Sequence, residues 1–409
     1  MTARVAQPAI EALRSVASEE SYVTELVSAA EAAARLGVKR QTIYAYVSRG
    51  VLHRTVSTDG RTSLFDPAEI DALKLGRVDR TEGELRAVIA TGLTRVDDDG
   101  LLIRGQSVVD LIATPNGFVD LVECLWDSPE GEPWPAAEGS TTGCADALDG
   151  IDALRALVAE ASSNDALRHD LSPAAVRAVG RRIITAMVHG LATQRDGSDA
   201  TIARALWRRL TARRGNQAEW RTLDVALALL VDHGLAASTF AARIAASVRA
   251  DPYSVVSAGL GVLGGQLHGA ASAGVHELIA QAAKNDDATG AVADVLRIQG
   301  RLPGFGHTVY ARQDPRYHAL MAVVVSAWAD DPRLRHVYRV RDVVAERRSA
   351  IPNVDLALGA LTWLSGMKPD AGEVIFAVAR TAGWLAHATE EYGEQAGRFR
   401  PRARYTGPR

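Results

Sequence analysis

Apolar positions along this chain recur mostly at helical spacing, with two short exceptions where they alternate. Near the start, Ser28 with Glu31 three positions later is a capping-box signature, and residues 29–36 read as a short helix that stops at Gly37. Residues 38–47 read as a second helix, with Ile43 and Val47 one turn apart on its inner side. After Gly50, β-prone runs at 52–57 and 62–65 flank Asp59-Gly60, a strong hairpin turn. Asp66-Pro67, with Glu69 behind, opens another helix by placing an N-cap before a proline. From about residue 82 the pattern changes. A hairpin is expected over residues 93–105, with its turn at 97–100, and helical segments at 108–113 and 118–126. The Pro/Gly/polar run from Ser128 to about Gly150 predicts a flexible surface loop. Long helices separated by loops then continue to about residue 395, and the basic stretch 398–405 is not helical. Residues 1–25 form a polar, helix-prone leader.

Composition sharpens this picture. At 409 residues with 47% hydrophobic positions, the chain is a globular protein of two or three domains. Alanine-rich stretches with few aromatics favour helix, so the expected class is mainly α. A formal net charge of -3 marks neither a nucleic-acid binder nor a membrane-surface protein as a whole, so any nucleic-acid role must come from a local patch. Cys124 and Cys144 are the only cysteines, which excludes a disulfide framework or a multi-cysteine metal site, and no metal is expected. The N-terminus has no long apolar run, and Glu11, Glu19 and Glu20 place charges along the first twenty residues. A cytoplasmic protein with no membrane span is the expectation.

The arrangement over residues 26–78 resembles the small winged helix-turn-helix modules of the MerR and excisionase type. That resemblance would turn Lys39, Arg40, Gln41, Thr42 and Tyr44 of the second helix towards DNA and set Arg54 and Arg61 of the wing on phosphate. Basic and amide side chains suit the task because they donate to phosphates and to base edges. The competing reading is a solvated helix face on a small packing or dimerisation domain.

Three segments punctuated by glycine or proline carry one titratable side chain each: Gly265-Gln266-Leu267-His268-Gly269, Gly304-Phe305-Gly306-His307 and Ile351-Pro352-Asn353-Val354-Asp355. Glycine allows close backbone approach and proline ends helices, so such residues mark element termini, where sites are built. Two imidazoles and a carboxylate suffice for carbon-acid chemistry. His233 and Ser238 are more than a helical turn apart. They border one pocket only if the helix ends between them, which Gly234 permits.

Taken with Asp232-His233, Asp314-Pro315-Arg316, residues 380–387 and Arg400-Pro401-Arg402, these segments resemble the citrate synthase family over roughly residues 82–409, in family order. The resemblance implies a helical homodimer, with a large domain (82–269 and 368–409) and a small domain (270–367) that closes over oxaloacetate and admits acetyl-CoA as a co-substrate, without a further cofactor. It assigns Asp355 as the base that deprotonates the acetyl methyl group, His268 as donor to the thioester oxygen, and His307 as the group that polarises and then protonates the oxaloacetate carbonyl. Arg316, Arg380 and His233 would bind oxaloacetate, Arg400 would reach the neighbouring subunit's site, and Ser238 would orient His268. Two stretches depart from many bacterial members. Gly234-Leu235-Ala236 stands where they have Glu-x-Asn, and Ala270-Ala271-Ser272 where they have Gly-Ala-Asn, removing hydrogen-bonding groups near the dicarboxylate. The activity implied is citrate synthesis. Alternatives are 2-methylcitrate synthesis from propionyl-CoA, or a transcription regulator that uses a citrate synthase-like domain as a metabolite sensor.

Overall fold

The computed structural model describes residues 26–48, 52, 54–56, 62–67, 70, 88–97, 100–114, 117–129, 132–135, 148–193, 201–265, 268–269, 271–307, 309–310, 312–347 and 350–401. It divides into two compact units, Ser15–Ala90 and one containing Thr91–Arg409.

In the smaller unit, Ser28 ends strand β1 (Val27–Ser28) and caps helix α1 (Ala29–Leu36), its Oγ accepting the Glu31 N–H at 3.3 Å. The expected reciprocal half of the capping box is absent, because Glu31 pairs with Arg35 at 3.1 Å instead. Gly37 ends α1 with φ +62, a left-handed conformation that favours glycine. Val38 N–H returns to the Ala33 carbonyl, so helix α2 (Arg40–Ser48) starts two residues later than the periodicity suggests. Strands β2 (Thr55–Val56) and β3 (Ser63–Phe65) form the expected hairpin, and β1 adds to β3's other edge, giving the antiparallel order β1-β3-β2. Ile43, Leu52, Phe65 and Ile70 close a small core beneath the helices. Lys39, Arg40, Gln41, Tyr44 and Arg54 are exposed and Thr42 is half-buried. Arg61, the wing's turn and the leader lie outside the described residues.

The larger unit opens with strands β4 (Thr94–Asp97) and β5 (Gly100–Ile103), paired as expected, and a third strand β6 (Gln106–Ser107) that sequence did not suggest. The rest is helical: α3 (Val108–Leu111), α4 (Gly117–Trp126), α5 (Gly150–Ser163), α6 (Pro173–Gly190), α7 (Ile202–Leu210), α8 (Gln217–Leu230), α9 (Ala237–Ser247), α10 (Pro252–Leu263), α11 (Ala271–Asn285), α12 (Ala288–Gln299), α13 (Pro315–Ala327), α14 (Leu334–Arg347), α15 (Val354–Leu364) and α16 (Ala371–Gly393). Almost every residue of α16 from Ala371 to Ala388 is buried, and it packs on α4, α5, α6, α8, α9 and α10. Small residues permit that crowding: a Cβ on Gly259 would lie 2.5 Å from the Trp384 ring. A second core of Leu278, Val292, Val340 and Val344 joins α11, α12 and α14.

The 128–150 stretch corrects one expectation. Trp134 stacks on Trp126 at 6.5 Å and donates to Glu123, while Glu132 pairs with the buried Arg181, so at least residues 132–135 are anchored rather than a free surface loop. Among the described residues no helix is long and apolar enough to cross a membrane.

Gly383 tests the central packing. A Cβ there would sit 2.2 Å from the Val231 carbonyl oxygen and 2.9 Å from Asp232, neither of which can swing away. Gly383→Ala is expected to lose about 3 kcal/mol in denaturant unfolding.

Candidate functional site

Chain reversals at helix ends place the chemistry. Helix α8 stops at Leu230, Gly234 turns the chain with φ +64, and α9 begins at Ala237, so His233 sits in the turn and Ser238 in the next helix's first residues. After α10, Gly269 N–H returns to the Leu263 carbonyl at 2.9 Å, folding His268 back. Side-chain bulk has no room at Gly269, where a Cβ would meet that carbonyl at 2.6 Å. The other two glycine- and proline-marked segments are tied together by backbone: Gly306 N–H donates to Ile351 O (2.7 Å), Asn353 N–H to Gly304 O (3.0 Å), and Phe305 bridges Pro352. Asn353 then caps α15 by accepting the Asp355 N–H at 3.0 Å, and its amide donates to Gly306 O at 2.8 Å.

These reversals open on one cavity of about 1340 Å³ lined by His233, His268, His307, Arg316, Asp355 and Arg380. Ser238 stands behind His268, its Oγ 2.9 Å from Nε2. Arg400 is exposed and does not line this cavity. Leu235, Ala236, Ala271, Val96 and Val309 supply an apolar wall, so the departures at 234–236 and 270–272 do face the site at Leu235, Ala236 and Ala271. Ser272 instead is buried, its hydroxyl without a hydrogen-bond partner among the described residues, turned against Gly372.

Hydrogen bonding sets the protonation of each imidazole. His307 Nδ1 accepts the N–H groups of Val309 (3.0 Å) and Tyr310 (3.1 Å), which puts its proton on Nε2. That nitrogen lies 3.1 Å from Arg316 Nη2, so two N–H donors crowd one spot, an arrangement satisfied by a ligand oxygen that accepts from both. His268 Nε2 accepts from the Ser238 backbone N–H at 3.4 Å, leaving its proton on Nδ1. Burial, then the nearby Arg380, depresses the His268 pKa, and burial, then Arg316, does the same at His307. His233, bonded to the Tyr310 hydroxyl at 3.0 Å, is depressed most strongly, by burial and then by Arg316 and Arg380. All three are neutral donors at physiological pH.

Asp314 anchors Arg316 through bonds to Nε (3.0 Å) and Nη2 (2.8 Å) and also caps α13. Burial pushes the Asp314 carboxyl up, but Arg316 and the Val354 N–H outweigh it and hold it below the ordinary range. Arg380 is buried, donates to Leu230 O at 2.8 Å and lies over the Phe376 ring; burial lowers its pKa to about 10, so it stays charged. Among the described residues the Asp355 carboxylate accepts no hydrogen bond, and burial raises its pKa to about 6 against the opposing pull of Arg316. A poorly solvated carboxylate beside neutral N–H donors and two fixed cations can abstract a proton from a weak carbon acid.

The profile "Citrate synthase, C-terminal domain" matches residues 84–402. The chain belongs to the citrate synthase family. It is 39% identical to the Haloferax volcanii citrate synthase over 196 residues, 47% of this chain and 52% of that one, and so spans about half the length of that curated relative. In structure it resembles the Thermotoga maritima citrate synthase (TM-score 0.64, 25% identity, 81% of this chain and 96% of that one). It also resembles the Thermoplasma acidophilum citrate synthase, solved as a ternary complex of carboxymethyl coenzyme A and oxaloacetate (TM-score 0.62, 24% identity, 79% and 94%). Residues 26–77 match a helix-turn-helix domain.

Sequence reading of this citrate synthase family chain passed over several groups that build the site. Tyr310 braces two imidazoles at once, one by its hydroxyl and one by its backbone. Its place in the turn after His307 was visible; its two partners were not. Asp314 and Asn353 stood inside the quoted motifs without a role, although an Asp before proline and an Asn at a helix start are capping signals.

At pH 6 an ordinary imidazole is about three-quarters charged. Side-chain ¹⁵N NMR is expected to show His233 neutral at that pH, and His268 and His307 less charged than an ordinary imidazole. Because their unfolded forms take up protons below about 6.5 and the folded forms do so only at lower pH, these groups lower stability as pH falls below about 6.5.

Proposed function

We propose that this chain condenses acetyl-CoA with oxaloacetate and water, giving citrate and free CoA. The observation that carries the reading is the convergence on one cavity of Asp355, a carboxylate without a hydrogen-bond donor among the described residues, with the neutral donors His268 and His307 and the cations Arg316 and Arg380. Asp355 takes a proton from the acetyl methyl group while His268 Nδ1–H bonds the thioester oxygen, so the enol forms without a free enolate charge. The enol carbon attacks the oxo carbon of oxaloacetate. His307 Nε2–H and Arg316 share the oxo oxygen; the His307 proton passes to the alkoxide and is replaced by the proton that Asp355 took from the methyl group, so both residues regain their starting states. Water then cleaves the citryl thioester and releases the thiol. Arg316, Arg380 and His233 hold the dicarboxylate, guanidinium forks matching carboxylates in two parallel bonds. Closure of the 270–367 domain over the bound diacid keeps water from the enol. No resident cofactor is needed.

We assign a homodimer to the larger unit. Helix α9, the Val248 that caps it and helix α10 expose Ile244, Val248 and Val262 among small residues such as Ala241, Ala258 and Gly261, a surface on which helices of a second copy can approach closely. Arg400 then serves the partner's cavity. We further assign DNA binding to the helix-turn-helix module, through the exposed Lys39, Arg40, Gln41 and Tyr44 with Thr42, Arg54 and Arg61 alongside, and a cytoplasmic location.

A thiol-release assay decides the catalytic reading. Turnover is expected with acetyl-CoA or, if the apolar wall favours the longer acyl group, propionyl-CoA; no release with either overturns it. Its acid limb should fall with an apparent pKa of about 6, as Asp355 takes up a proton. Asp355→Asn should abolish release yet keep oxaloacetate binding within about tenfold. A raised carboxyl pKa means the buried charge opposes folding above pH 6, so the same variant should be more stable at pH 7.5, by at most about 3 kcal/mol. For the module, Lys39→Ala/Arg40→Ala should weaken retention by promoter DNA and flatten its salt dependence; unmutated protein that is not retained at low salt counts against DNA binding.

A further inference from the structure

Behind His233 runs a line of buried polar side chains that the chemistry above does not use. Asp232, His387 and Glu391 are 0% exposed and Arg243 is 1% exposed. Arg243 Nη1 lies 2.9 Å from His387 Nδ1, and because guanidinium only donates, Nδ1 accepts and the ring proton is on Nε2. That Nε2–H faces the Asp232 carboxylate, 3.3 Å and 3.4 Å from its two oxygens. Asp232 also accepts from the Thr94 hydroxyl and from the Gly234 N–H at 3.2 Å, which fastens the turn presenting His233. In the other direction Arg243 Nε and Nη2 bond Glu391 at 3.1 and 3.0 Å. Glu391 is gripped in turn by Arg398 through two bonds of 2.7 Å. The next residue, Phe399, packs edge-on against Phe240 at 5.5 Å, and Arg400 follows.

Burying such charges costs several kcal/mol per ion, and well-packed apolar side chains would fill the same space at least as stably. A line of this kind is better explained by the geometry it enforces. We infer that Asp232, His387, Arg243 and Glu391 are positioning residues that lock the seat of the C-terminal arm, at Arg398, to the orientation of His233 in the cavity. A shift of Arg398 would move Glu391 and Arg243. Arg243 cannot move without rotating the single imidazole tautomer that joins it to Asp232, and Asp232 sets the His233 turn. On the catalytic and dimeric reading above, on which this part of the inference rests, one subunit's arm at its neighbour's cavity would then be in register with that subunit's own grip on the diacid.

Glu391→Gln in the full chain tests this, since among the described residues the Glu391 carboxylate bonds Arg243 and Arg398 and no cavity residue, and an amide offers one oxygen where Arg398 now bonds two. With ¹⁵N-histidine labelling, the His387 and His233 ring signals should both shift while that of His276, buried against Thr362 elsewhere, stays in place. Chymotryptic cleavage after Phe399 should quicken at least about fivefold. The KM for oxaloacetate should rise about fivefold or more with kcat and the acyl-CoA KM changed less than about twofold. A freed arm with His233 unmoved, or neither change, overturns the inference. If Glu391→Gln does not fold, Arg398→Met, at the exposed end, is read the same way. Absence of thiol release from the unmutated protein would sink the catalytic reading alone, because the NMR and proteolysis comparisons need no turnover.

Discussion

The buried pairing of Asp314 with Arg316 is the interaction on which the rest of the site depends. One carboxylate caps α13, holds the guanidinium by two of its nitrogens and accepts the first N–H of α15, so two helices and a cavity-lining cation share a single anchor. Held there, Arg316 stands 3.1 Å from His307 and adds to burial in lowering that imidazole's pKa. Removing the carboxylate would leave an unpaired buried cation, a loss of the order of 3–5 kcal/mol, and would free the starts of both helices. Stability and chemistry are thus written into the same few atoms.

Unlike Arg316, which is paired with Asp314, two charged residues of the cavity make no ion pair among the described residues. Among the described residues Arg380 donates to a carbonyl oxygen and lies over an aromatic face, and the Asp355 carboxylate accepts no hydrogen bond. Such groups are expensive in an empty pocket. They make physical sense where an anionic ligand completes the charge balance and where the base must remain poorly solvated to be reactive. The apolar wall of Leu235, Ala236 and Val96 lowers the local dielectric further, strengthening every remaining electrostatic contact.

Much of this was legible in the sequence, for identifiable reasons. Helix starts and stops are local, so Ser28, Gly37 and Gly234 announced where the chain would turn. The three titratable segments could be named because glycine and proline mark reversals. What escaped was non-local. That Gly304 and Gly306 pair with Ile351 and Asn353 requires two segments nearly fifty residues apart to meet, and no periodicity encodes it. Strand β1 is two residues long and exists only because β3 offers an edge. Trp134 was read as part of a surface loop because its neighbours are prolines and glutamates; the partner that anchors it, Trp126, lies in a different element.

Helix α16 carries Phe376 and Arg380 to the cavity, then His387 and Glu391 into the buried line behind it, all from one uninterrupted run of backbone. Each residue advances the helix by about 100° and 1.5 Å. A single insertion or deletion between Arg380 and His387 would therefore carry one of these groups off its face while leaving the other in place. Loops elsewhere in this unit can lengthen at little thermodynamic cost, but this helix cannot change length by one residue and keep both ends in phase. Its residue count is itself a constraint on how the chain can diverge.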